Sequence, residues 1–126
     1  MLNDVFANLN AEQREAVDYM EGPCLVLAGA GSGKTRVITQ KIAYLIRSGK
    51  YEARHIAALT FTNKAATEMR ERIGKLLSSP SDASKLTIST FHSLGVGILR
   101  QEAKELNLKD RFSILDSDDC FSLVQD

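Results

Sequence analysis

Hydrophobic positions along this chain switch between short unbroken runs and helically spaced stripes, and each switch is punctuated by glycine, proline or a capping residue. Cys24-Leu25-Val26-Leu27-Ala28 and Ile56-Ala57-Ala58-Leu59-Thr60-Phe61 are runs of the length expected for strands buried on both faces. Leu86-Thr87-Ile88-Ser89 reads as a third, shorter strand. The spacing between them predicts helices. Asn10, with Gln13 three residues on as its box partner, opens a helix to about Met20, which Gly22-Pro23 ends. A second helix runs from about Gly33 to Ser48, with Ile38, Ile42, Leu45 and Ile46 as its stripe and Gly49 as its cap. Thr62-Asn63 caps a third, with the stripe Ala66, Met69, Ile73, Leu76 and Leu77. Ser78-Ser79-Pro80-Ser81 reads as a linker, and Phe91 to about Leu106 as a helix. The tail Ser113-Ile114-Leu115 leads into a last, incomplete helix after Asp116.

Strand–helix alternation of this kind implies an α/β fold, a parallel sheet with right-handed crossovers. Ligands of such sheets gather at the carboxyl ends of the strands. Three segments are expected there: Gly29–Lys34, Phe61–Lys64 and Thr90–His92.

Composition changes this picture little. A chain of 126 residues supports one core, and 16 basic against 16 acidic residues point to no partner by bulk charge. Ten Lys or Arg against three Asp or Glu between Lys34 and Lys75 make a basic middle, suited to phosphates or simply a solvated face. Cys24 and Cys120 lie far apart in no metal-ligand spacing, and Cys24 is expected to begin a buried strand. The N-terminus is polar and no apolar run of membrane-spanning length occurs, so a soluble cytoplasmic protein without a membrane partner is expected.

The chemistry is carried first by Ala28-Gly29-Ala30-Gly31-Ser32-Gly33-Lys34-Thr35, placed between an expected strand and an expected helix. Such a turn aims backbone N–H groups at phosphate oxygens, and the helix dipole favours their charge. Lys34 is placed to reach the β- and γ-phosphates, and the Thr35 hydroxyl to ligate Mg²⁺, so ATP with Mg²⁺ is the expected cofactor. Ala28 stands where the strict motif has its first glycine, and Gly29 can supply the sharp exit from the strand.

Taken with Leu9-Asn10-Ala11-Glu12-Gln13, Leu59–Ala66 and Ser89-Thr90-Phe91-His92-Ser93, this loop resembles the superfamily 1 DNA helicases, in the branch containing UvrD, Rep and PcrA. The resemblance covers essentially the whole chain, with four motifs in order. It implies a P-loop NTPase fold of RecA type, a truncated first motor domain. Residues 1–112 would be the N-terminal part of that domain, and residues 113–126 the start of a helical insertion.

It further implies that Gln13 reads the adenine edge, for which an amide offers donor and acceptor together. A purely structural capping role for the same amide stays open. Arg36 would stack on the adenine ring, or else be a solvent-facing helix arginine. Phe61, Asn63 and Lys64 would line a path for single-stranded DNA, with Thr90 and His92 bonding a phosphate. Against this, Phe61 reads equally as core at a strand end, Asn63 as an N-cap, and His92 as surface decoration.

In the family, an Asp-Glu motif further along the chain and an arginine from a second motor domain complete hydrolysis, and neither occurs here. Asp116 is no substitute: no glutamate follows it, and Asp116-Ser117-Asp118-Asp119 reads as a helix N-terminus. The expected whole is a 3′→5′ ATP-dependent DNA helicase whose partners include single-stranded DNA, a second motor domain and proteins of replication or repair. This chain alone should bind nucleotide weakly without useful hydrolysis. A helicase–nuclease subunit is the near rival. A small P-loop kinase would need a lid that is not evident, and a non-catalytic nucleotide-binding module would keep its partner after Lys34→Ala.

Overall fold

Each helix opens at a residue suited to starting one. The computed structural model describes residues 2–31 and 33–125, and Ser32 of the glycine-rich turn lies outside the described residues. Asn10 is the N-cap of α1 (Ala11–Asp18), and its side chain and that of Gln13 form the expected reciprocal box. Left-handed Gly33 precedes α2 (Lys34–Arg47), and left-handed Gly49 closes it, donating its N–H to the Ile46 carbonyl at 3.0 Å. A short 3-10 turn over Ala53–His55 leads into β1 (Ala57–Thr60). Thr62, not Asn63, is the cap of α3 (Asn63–Leu76): its hydroxyl accepts the Ala65 N–H at 3.1 Å.

The expected serine linker is instead the entry to α4 (Pro80–Lys85), where proline occupies the first turn. Its fixed φ and missing N–H suit that position, which a reading of Pro as a breaker overlooks. β2 (Thr87–Thr90) follows and pairs in parallel with β1, in the register Ala57 to Thr87 through Thr60 to Thr90. The crossover of α3 and α4 between them is what parallel pairing demands. α5 (Phe91–Gln101) starts directly after β2.

The core lies between helices and sheet. Ile73, Val5 and Val17 are fully buried, joined by Ile42, Ala58, Met69 and Ile88. Of the expected α3 stripe, Ala66, Met69 and Ile73 are buried, as is Leu77 just past the helix end, while Leu76 is half-buried. On α2 it turns by one position: Val37 is buried and Ile38 is 44% exposed. Ile38 borders a cavity beneath residues 24–28, the segment that would have covered it.

That segment is the main correction. Residues 24–28 form no strand, and the sheet among the described residues has two strands rather than three. Leu25 and Leu27 are 85% and 86% exposed, and Cys24 is exposed rather than buried. An extended segment becomes a strand only when a neighbour takes up its N–H and C=O groups. Here none of the described residues does so.

The chain divides into two compact units, residues 1–91 and 92–126. Within the second, α5 ends at Gln101, short of the expected Leu106, and continues as turns. Left-handed Asn107 and a 2.8 Å bond from the Leu108 N–H to the Ala103 carbonyl close that stretch. α6 (Ser117–Gln125) is capped by Asp116, whose carboxylate accepts the Asp119 N–H at 2.8 Å while the Asp119 carboxylate accepts the Asp116 N–H at 3.2 Å. Asp116 is therefore a helix cap, as its sequence context predicts.

Candidate functional site

The first cluster forms where α1 meets the start of α2. The Gln13 N–H donates to Asn10 Oδ1 at 2.8 Å, and Gln13 Oε1 accepts the Asn10 N–H at 3.1 Å. This box turns the far end of the amide toward the glycine turn: Gln13 Nε2 stands 3.0 Å from where a Cβ on Gly33 would lie. Gly33 (φ 81°) suits glycine for its left-handed backbone, and a Cβ there would crowd the tip of the Gln13 side chain by a few tenths of an ångström. Gly31 (φ 73°) is left-handed as well.

Lys34 and Thr35 are the first two residues of α2, and both side chains are exposed. Among the described residues no side chain caps this helix, and no acidic residue occupies its first turn. The positive end of the helix dipole lies at this turn, a setting that favours an anion. Arg36 is exposed, and its Nη1 donates to the Asn8 carbonyl at 3.4 Å, tying α2 to the turn before α1. Asn8 is left-handed (φ 63°), as asparagine tolerates in tight turns. A cavity of about 720 Å³ opens between α1, α2 and residues 24–28. Gln13, Lys34 and Lys41 line it on the polar side, and Ala16, Val26 and Ile38 on the apolar side. Part of it is the gap left by the unpaired segment.

The second cluster sits at the carboxyl end of the two-stranded sheet. Because Thr60 is in register with Thr90, the residues that follow them emerge side by side. Phe61 and Phe91 accordingly lie 5.6 Å apart between ring centroids, tilted by 37°. Phe61 is 90% exposed, so it is not the strand-end core residue that its chemistry equally allowed. Asn63 and Lys64 are exposed in the first turn of α3, Thr90 is buried, and His92 is exposed in the first turn of α5. The Thr60 hydroxyl donates to the Thr62 carbonyl at 3.0 Å, and Arg70 reaches the Ile88 carbonyl at 2.6 Å, bracing both strands.

The structure thus brings Gln13, Gly33, Lys34 and Arg36 to one corner, and Phe61, Asn63, Lys64 and Thr90 to the sheet end. Of the three expected loops, the two after β1 and β2 follow strands. The glycine turn follows an unpaired segment instead. Three residues of interest were missed. Phe91 lies within the Ser89–Ser93 motif, but its place beside Phe61 follows from the parallel register. Lys41 and Tyr44 share a face of α2 at a spacing of three, but their partners on α1 are tertiary. Lys41 Nζ donates to the carbonyls of Ala16, at 2.8 Å, and Tyr19, and the Tyr44 hydroxyl donates to Asp18 Oδ1 at 3.2 Å. That hydrogen bond, with desolvation and the Asp18 charge adding to it, raises the Tyr44 phenol above its ordinary 10.0.

These features define an α/β domain with parallel strand pairing, whose chemistry-bearing side chains collect at a glycine turn and at the strand ends. Residues 9–126 match the family model described as the UvrD/REP helicase N-terminal domain, and the chain belongs to that family. It is 57% identical over 118 residues to the ATP-dependent DNA helicase Rep of Escherichia coli strain K12, covering 94% of this chain and 17% of that relative. Rep of Buchnera aphidicola subsp. Acyrthosiphon pisum is 52% identical over 118 residues, covering 94% of this chain and 18% of the relative. The ATP-dependent DNA helicase PcrA of Staphylococcus aureus strain Mu50 is 45% identical over 125 residues, covering 99% and 17%. The chain spans about 17% of the length of the first of these relatives. No helix among the described residues is long and apolar enough to cross a membrane.

Proposed function

We propose that this chain is the ATP-binding portion of a 3′→5′ ATP-dependent DNA helicase or translocase acting on single-stranded DNA in the cytoplasm, with a RecA-like P-loop fold. The observation that carries the reading is the convergence of Gln13, Gly33 and the α2 N-terminus bearing Lys34 and Thr35, in a chain whose relatives are named ATP-dependent DNA helicases. The residues present fit a magnesium nucleotide. Gly31 and Gly33 add no Cβ to the turn, and no acidic residue stands in the first turn of α2 to repel phosphate. Residues 28–36 would form the cradle. Lys34 would hold the β- and γ-phosphates, the Thr35 hydroxyl would ligate Mg²⁺, Gln13 would read the adenine edge, and Arg36 would lie along its face. Bound Mg²⁺ would supply charge neutralisation at the transferred phosphate.

Single-stranded DNA would track the sheet end. The exposed Phe61 would offer a face on which any base can stack, Lys64 would attract phosphate and Asn63 would supply a hydrogen bond. His92, in the second unit, would bond a phosphate on its own account, and the Thr90 hydroxyl only once its buried side chain became accessible. Hydrolysis would need carboxylates from outside this chain, because Asp116, its one strand-like acidic candidate, is occupied in capping α6. The test is ATP turnover stimulated by single-stranded DNA, in this chain and in the full-length protein, each with Lys34→Ala. Turnover in the full-length protein alone, lost by at least about a hundredfold with Lys34→Ala, is expected. Turnover by this chain that Lys34→Ala abolishes would mean that its own acids complete the site.

A further inference from the structure

Gln13 and Lys34 belong to different helices, so any ligand read by both depends on how α1 is held against α2. At eight residues, α1 is too short to be stable by itself, and its pose is set by tertiary ties. One end is tied at the nucleotide corner through the Asn10–Gln13 box and the close approach to Gly33. The other is held from α2. Lys41 lies two turns beyond Lys34, on the same side of the helix, and its ammonium donates to the carbonyls of Ala16 and Tyr19. These carbonyls lie at the end of α1, where no following turn can satisfy them and the helix dipole is negative. One turn further, Tyr44 donates to Asp18 and packs its ring edge-on to Phe6 at 5.2 Å.

We infer that Lys41 is a positioning residue for base recognition: by fastening the last turn of α1 to α2, it sets the pose of the Gln13 amide against Gly33. The inference rests on the nucleotide-site reading above and goes beyond it by assigning selectivity to a residue outside the loop. An ammonium suits the role because it can serve two carbonyls at once. A guanidinium can do the same, whereas a thioether of similar length leaves both carbonyls without a donor.

The test measures binding of Mg-ATP and of magnesium tripolyphosphate, which has no base, to the full-length protein by calorimetry. Lys41→Met is expected to weaken ATP about tenfold while changing tripolyphosphate by less than about twofold. Lys41→Arg should restore ATP binding, and Lys41→Met should add nothing in a Gln13→Ala background. Equal weakening of both ligands, or full additivity of the two substitutions, overturns the inference and leaves Lys41 with a merely structural role. Two controls detect failure of the underlying site instead. If Lys34→Ala leaves both ligands bound, or Gln13→Ala leaves ATP affinity unchanged, the nucleotide reading fails and the inference falls with it.

Discussion

Residues 24–28 and residues 56–61 are apolar runs of nearly equal length, yet they end in opposite states. The second is the less hydrophobic, built on Ala-Ala-Leu-Thr, but it forms β1 and buries Ala58. The first, Cys-Leu-Val-Leu-Ala, remains unpaired with two leucines more than four-fifths exposed. The difference is a partner. β1 has β2, delivered in register by the α3–α4 crossover, and Met69 and Ile73 of α3 join Ala58 and Ile88 in one core. Residues 24–28 have α1 and α2 nearby, but no strand among the described residues pairs with them. Hydrophobicity states what a segment would gain by burial, while a strand also requires its backbone groups to be taken up.

The two regions can be set against each other by substitution. The largest effect is expected in the paired region, where Ile73→Ala removes a fully buried side chain and should cost about 2–5 kcal/mol in urea denaturation. Next comes Phe61→Ala at the end of β1. It should weaken single-stranded DNA binding by about 1–3 kcal/mol, read by fluorescence anisotropy in the full-length protein, with folding stability nearly unchanged. Thr62→Ala removes the cap of α3 and should cost about 1 kcal/mol of stability.

The smallest effect belongs to the unpaired region. In this chain Leu27→Ala should cost less than about 0.5 kcal/mol, because the side chain is already 86% exposed. A loss as large as that of Ile73→Ala in this chain would contradict the comparison. The same large loss seen only in the full-length protein would sharpen it, by measuring burial supplied from outside residues 1–126.

Much of the local structure was legible in the residues. The Asn10–Gln13 box, Gly49 at the end of α2, the buried stripe of α3 and the acidic cap of α6 all follow from short-range stereochemistry and helical spacing. The expected glycine turn opening a helix is present, and Gly31 and Gly33 prove left-handed in it. These features need no distant partner, so a few neighbouring residues determine them.

Tertiary structure decided the rest. It chose which apolar run became a strand, turned the buried face of α2 from Ile38 to Val37, and set Phe61 beside Phe91 through the parallel register. It also brought Lys41 to the end of α1, a contact between residues 22 to 25 positions apart. Such choices depend on which surfaces and backbone groups meet in space, and no local pattern encodes them. The sequence by itself determined the caps that open α1, α3 and α6 and the glycine that closes α2, because these rest on neighbouring residues. The packing of α1 on α2 and of β1 on β2 determined which chemistry-bearing side chains stand together, because burial and hydrogen bonding across elements are satisfied only once the partner has arrived.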